Sequence, residues 1–117
     1  MRSAFLLMIF LALPRPLLAE GLVPITDRAR FLSLIEGREL RRVGVRLTVL
    51  ADGRITGRAL GRPVSGGWQW QGQYFCRDMQ WGDTPVGYNC QTVRLRGDVL
   101  RFTSDRGRGD FADLKLR

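Results

Sequence analysis

The sequence predicts a mainly β protein: a small antiparallel meander barrel of about seven strands with one short N-terminal helix. Three observations carry that prediction. Apolar and polar residues alternate with period two in most of the chain after residue 39. Short turn signals containing Gly separate those runs. Only one segment, around Phe31, Leu34 and Ile35, shows helical spacing. A two-sheet sandwich is the alternative architecture.

The chain starts with Arg2, an apolar run over 4–13, then Leu17, Leu18 and Ala19. A basic start, a short apolar run and a small residue form the secretory signal pattern. Residues 1–19 are therefore expected to be a signal peptide cut after Ala19, leaving 20–117 as a single small β-barrel domain. The expected location is periplasmic or secreted. Losing Arg2 and Arg15 would lower the net charge from +8 to +6. Basic charge on an exported chain points to an anionic partner: anionic lipid, polysaccharide, an acidic ligand or an acidic protein. Peripheral membrane contact belongs to that set, and nucleic acid does not fit the compartment.

The elements follow in order. Asp27 offers an N-cap and Gly37 a stop, so a helix is expected over 27–36 with Phe31, Leu34 and Ile35 on the core and covering one barrel end. Val43, Val45, Leu47 and Val49 then alternate with Arg42, Gly44, Arg46 and Thr48. A turn at 51–53 pairs this strand with the next, Val49 opposite Ile55 and Leu47 opposite Gly57. On the other face the same register sets Arg46 against Arg58 and Arg42 against Arg62. Like charges there are destabilising unless solvent screens them or an anionic surface meets them.

Residues 66–90 hold all three Trp, both Tyr and both Cys, and large rings make this stretch the expected heart of the core. Trp68 and Trp70 share a face. Strands over 74–81 and 86–95 turn about Asp83, which sets Cys76 opposite Cys90, Arg77 opposite Asn89 and Phe75 opposite Gln91. Two cysteines in an exported chain read as one disulfide, and these two allow a single pairing. It would close a loop of about 15 residues and contribute roughly 3 kcal/mol. A two-residue turn at 97–98 places Arg94 opposite Arg101. A polar loop over 104–110 precedes a closing strand over 111–116.

Chemistry is sparse in this chain. It has no His, so general acid–base work and a serine triad lack their usual member. No Gly-rich nucleotide loop follows a strand, and no metal-ligand spacing is present. The reading is non-catalytic binding, with no cofactor and no metal. The candidate ligand site is the face carrying Arg77, Met79, Trp81, Asn89 and Gln91. Two arrangements stay open for it: a ligand cavity, or a strand reaching the rim of a filled barrel. Candidate anion contacts on the surface are Arg42, Arg46, Arg58, Arg62, Arg94 and Arg101.

With W-x-W-x-G-x-Y-F-C-R-D at 68–78, Y-N-C-Q at 88–91 and L-R-F-T-S-D-R-G at 100–107, the chain resembles a family of small exported bacterial proteins. Members are often labelled dihydrodipicolinate reductase, which implies nicotinamide-dependent reduction. Reductases of that name use a Gly-rich dinucleotide loop and a His–Lys pair. No residue here matches either, so no catalytic residue carries over.

Overall fold

The computed structural model describes residues 21–117, and the signal peptide expected over 1–19 lies outside them. The elements are β1 (Val23–Ile25), α1 (Arg28–Ile35), β2 (Leu40–Arg42), β3 (Val45–Val49), β4 (Arg54–Ala59) and β5 (Arg62–Gln71). Then come β6 (Tyr74–Trp81), β7 (Thr84–Arg96), β8 (Val99–Thr103), the single turn α2 (Ser104–Gly107) and β9 (Phe111–Leu116). Strands β2 to β9 follow one another around a closed antiparallel barrel of eight strands, sealed where β9 pairs with β2. The ninth, β1, lies outside it, on residues 93–95 of β7.

The barrel closes because every strand keeps one apolar face. Leu47 and Val49 on β3, Trp68 and Trp70 on β5, and Leu114 and Leu116 on β9 point inward. The helix α1 begins where the Asp27 carboxylate accepts the Arg30 N–H at 2.9 Å. It plugs one end: Phe31 is fully buried, with ring centroids 5.1 to 5.4 Å from Trp68, Trp70 and Phe75. Each such aromatic pair adds about 0.5–1.5 kcal/mol beyond area burial.

Most expected registers are observed. Val49 faces Ile55, Arg46 faces Arg58, Arg77 faces Asn89, and Arg94 faces Arg101. Cys76 and Cys90 form the disulfide across β6 and β7, with Cα atoms 3.9 Å apart.

One expected strand divides, which raises the barrel count to eight, and the next ends earlier than expected. The run across Val43 breaks into β2 and β3 at a tight turn, with Val43 97 % exposed and Gly44 at φ 76. Consequently Arg42 faces Val45, not Arg62, and turns to the inside of the barrel. A second turn, Leu60 with Gly61, separates β4 from β5, and Arg62 faces Ala59. Strand β5 then runs unbroken through Gly66 and Gly67. Gly66 belongs there because a Cβ would collide with the Asp78 carbonyl of β6, as one at Gly57 would with that of Arg46.

Candidate functional site

The barrel is filled at the α1 end and hollow at the other. The hollow is a cavity of about 410 Å³ lined by apolar side chains such as Val45, Leu47, Val64, Met79 and Leu114. Small inward residues create the room: Ala59 on β4 and Ala112 on β9 line it. Arg42, Leu60, Trp81 and Val86, beside the turns at 43–44, 60–61 and 82–83, line its open side.

Arg77 is the charged group placed deepest in this lining. It sits on β6 between Phe75 and Met79, and its Nη1 donates to the Gly87 carbonyl at 2.7 Å. Strand β7 is bulged at Val86, where the ladder with β6 shifts between Met79 and Gln80. Among the described residues no carboxylate pairs with Arg77. Burial pushes its guanidinium below the ordinary arginine value, and Asp78 offsets part of that shift. A guanidinium has five N–H donors, so this one keeps most of its hydrogen-bonding capacity.

The other expected cavity residues divide. Met79, Trp81 and Gln91 line the hollow with Arg77. Trp81 donates Nε1–H to the Ala59 carbonyl at 2.7 Å, fixing its ring across the mouth. Gln91 is buried and its Nε2 donates to Ser104 Oγ at 3.3 Å. Asn89 instead anchors α2: its Nδ2 donates to Asp105 Oδ1 at 2.9 Å and its Oδ1 accepts the Asp105 N–H at 2.8 Å. That pair of bonds holds Asp105 at φ 55, an angle Asp tolerates better than most residues.

The six arginines expected on the surface also separate. Arg42 lines the cavity mouth. Arg62 stacks on Trp81, 4.2 Å from the ring centroid, and pairs with Asp83 at 3.3 Å. Arg101 is held by both Asp113 oxygens at 2.8 and 3.0 Å. Arg46, Arg58 and Arg94 remain on the outer wall. There the ladder sets Lys115, Arg41, Arg46 and Arg58 side by side across β9, β2, β3 and β4. Arg41 pairs with Glu39 and Lys115 with Asp98, which tempers that row.

Sequence reasoning missed Arg42, Leu60 and Val86 as cavity residues. Gly44 and Gly61, at positive φ in their turns, bring their flanking residues to the mouth, but Val and Leu beside them are not the usual hairpin-turn partners. Among the described residues no helix is long and apolar enough to cross a membrane. No protein-family model, curated protein or solved structure matches the chain.

Proposed function

We propose that this chain is an exported binding protein that holds one amphiphilic anion, apolar body in the barrel and charged group on Arg77. The observation carrying this reading is a guanidinium set in an apolar cavity with one backbone hydrogen bond and, among the described residues, no carboxylate in ion-pair contact. Burying a charge without a partner is costly, and an incoming carboxylate, sulfonate or phosphate would relieve that cost. A cavity of about 410 Å³ falls within the roughly 300–1,000 Å³ range of small-molecule sites. A medium-chain carboxylate fits that size. Export is supported by the sequence at 1–19 and by the disulfide, which persists in oxidising compartments.

Titration with decanoate and with decanol, followed by tryptophan fluorescence, tests this. Decanoate should bind saturably and about tenfold or more tighter than decanol, as charged hydrogen bonds allow. The Arg77→Met variant should erase that preference while still binding decanol. Absent binding of both probes, or equal affinity for both in the parent chain, would remove the proposal.

A second reading rests on the outer row of Lys115, Arg41, Arg46 and Arg58, which suits an anionic polymer or acidic protein. Replacing Arg46 and Arg58 by Gln would then release the chain from an anionic polysaccharide column at lower salt, with decanoate affinity unchanged. Elution at the parent's salt concentration would reject it.

A further inference from the structure

We infer that the open rim of the barrel is a docking face for an anionic lipid bilayer. Two hairpin turns stand side by side at the mouth, tied by the Leu60 N–H donating to the Gly44 carbonyl at 2.8 Å. Each carries an aliphatic side chain into solvent: Val43 is 97 % exposed and Leu60 72 %. Val86, on the β7 bulge, adds a third at 50 %. Leu60 holds φ 51, a left-handed angle that Asn or Gly suits and branched aliphatic residues rarely take. The turn thus holds a leucine at an unfavourable backbone angle with one methyl over Gly44 and most of its surface in water. An aliphatic tip kept against local preference serves something outside the folded chain.

The surrounding charge says what that is. Arg58 reaches into the second turn, its Nη2 donating to the Gly61 carbonyl at 2.5 Å. Arg42 and Arg62 stand at the same rim; Arg62 pairs with Asp83 at 3.3 Å, and Arg42 is near enough to Asp113 to attract its carboxylate. Aliphatic tips inside a collar of guanidiniums match the boundary between acyl chains and anionic headgroups. A polysaccharide would use the cations and leave the tips in water. A protein partner would need a far larger apolar patch than three aliphatic side chains offer. Leu60 and Val86 also line the cavity, so a docked bilayer would face its mouth.

The docking face stands apart from the cavity's occupant and is tested without one. Residues 1–19 carry the secretory signal pattern, so residues 20–117 are the chain to use. It is sedimented with vesicles of phosphatidylglycerol and of phosphatidylcholine. Binding is expected to phosphatidylglycerol, about fivefold weaker for each rim arginine removed. The Val43→Asn, Leu60→Asn double variant should lose about tenfold or more, while melting no lower than its parent, because Asn accepts the φ at position 60. Arg94→Gln, on the wall toward the plugged end, and Arg77→Met, inside the cavity, should both bind like the parent. Loss of vesicle binding in Arg77→Met would mean lipid is taken into the cavity and would overturn docking by the rim. So would no binding to phosphatidylglycerol, equal binding to both lipids, or full binding by the double tip variant.

Discussion

At the plugged end of the barrel the inward positions carry Trp68, Trp70, Phe75 and Phe102, packed around Phe31. At the open end they carry Ala59, Ala112 and Gly87, with Arg77 and Trp81 between. The same eight strands build both ends. Barrels of this strand number leave an interior that side chains can just fill, so side-chain volume decides where they do. Five rings and a helix fill one half, and small residues leave the other hollow. The charge follows the same division, since a guanidinium is tolerated only where solvent or a ligand can reach it.

Breaking the plugged end should have the largest effect. Phe31→Ala removes the ring at the centre of the aromatic cluster and should lower unfolding free energy by about 3–5 kcal/mol, read from urea denaturation. A loss under about 1 kcal/mol would mean that the cluster does not depend on its plug. Next comes the covalent tie between β6 and β7. Reducing the disulfide, whose cysteines are 14 residues apart, should remove roughly 3 kcal/mol by the same assay.

Filling the open end should separate stability from binding. Ala112→Leu adds volume where there is room, so stability should change by less than about 1.5 kcal/mol while decanoate binding is lost. A large loss of stability would show that the hollow is not available space.

The smallest effect belongs to the outer wall. The hydrogen bonds from Arg101 hold the Asp113 carboxyl below the usual carboxylate range. A depressed folded value stabilises above the unfolded pKa of about 3.9 and fades as pH falls through the folded one. The melting difference between the parent and Asp113→Asn should therefore be steady near neutral pH and shrink below about pH 4. A difference that grows on acidification would contradict this pairing.

Much of the fold was legible in the sequence, for local reasons. Period-two alternation and short turns gave the registers of β3 with β4, β6 with β7, and β7 with β8. The cysteine pairing followed from there being only two, and the second of these registers sets them opposite each other. The barrel strand count was low because Val43, apolar and in step with Val45 and Leu47, read as a strand residue; reading the chain as extended through Leu60 hid where β4 ends. Their turns depend on Gly44 and Gly61 at positive φ, a signal that Leu beside Gly does not announce. That error also placed Arg42 opposite Arg62 on the outside, when Arg42 lines the mouth. The face of Arg77, Met79, Trp81 and Gln91 was legible from parity alone. Whether that face met a hollow was not, since it depends on volumes contributed by all eight strands.

The contrast between the ends is tested most directly by mapping amide chemical shifts during a decanoate titration. The account predicts saturable shifts at Arg77, Met79, Trp81 and Gly87, with the amides of Phe31 and Trp70 left in place. Shifts centred on α1, or none that saturate, would contradict it.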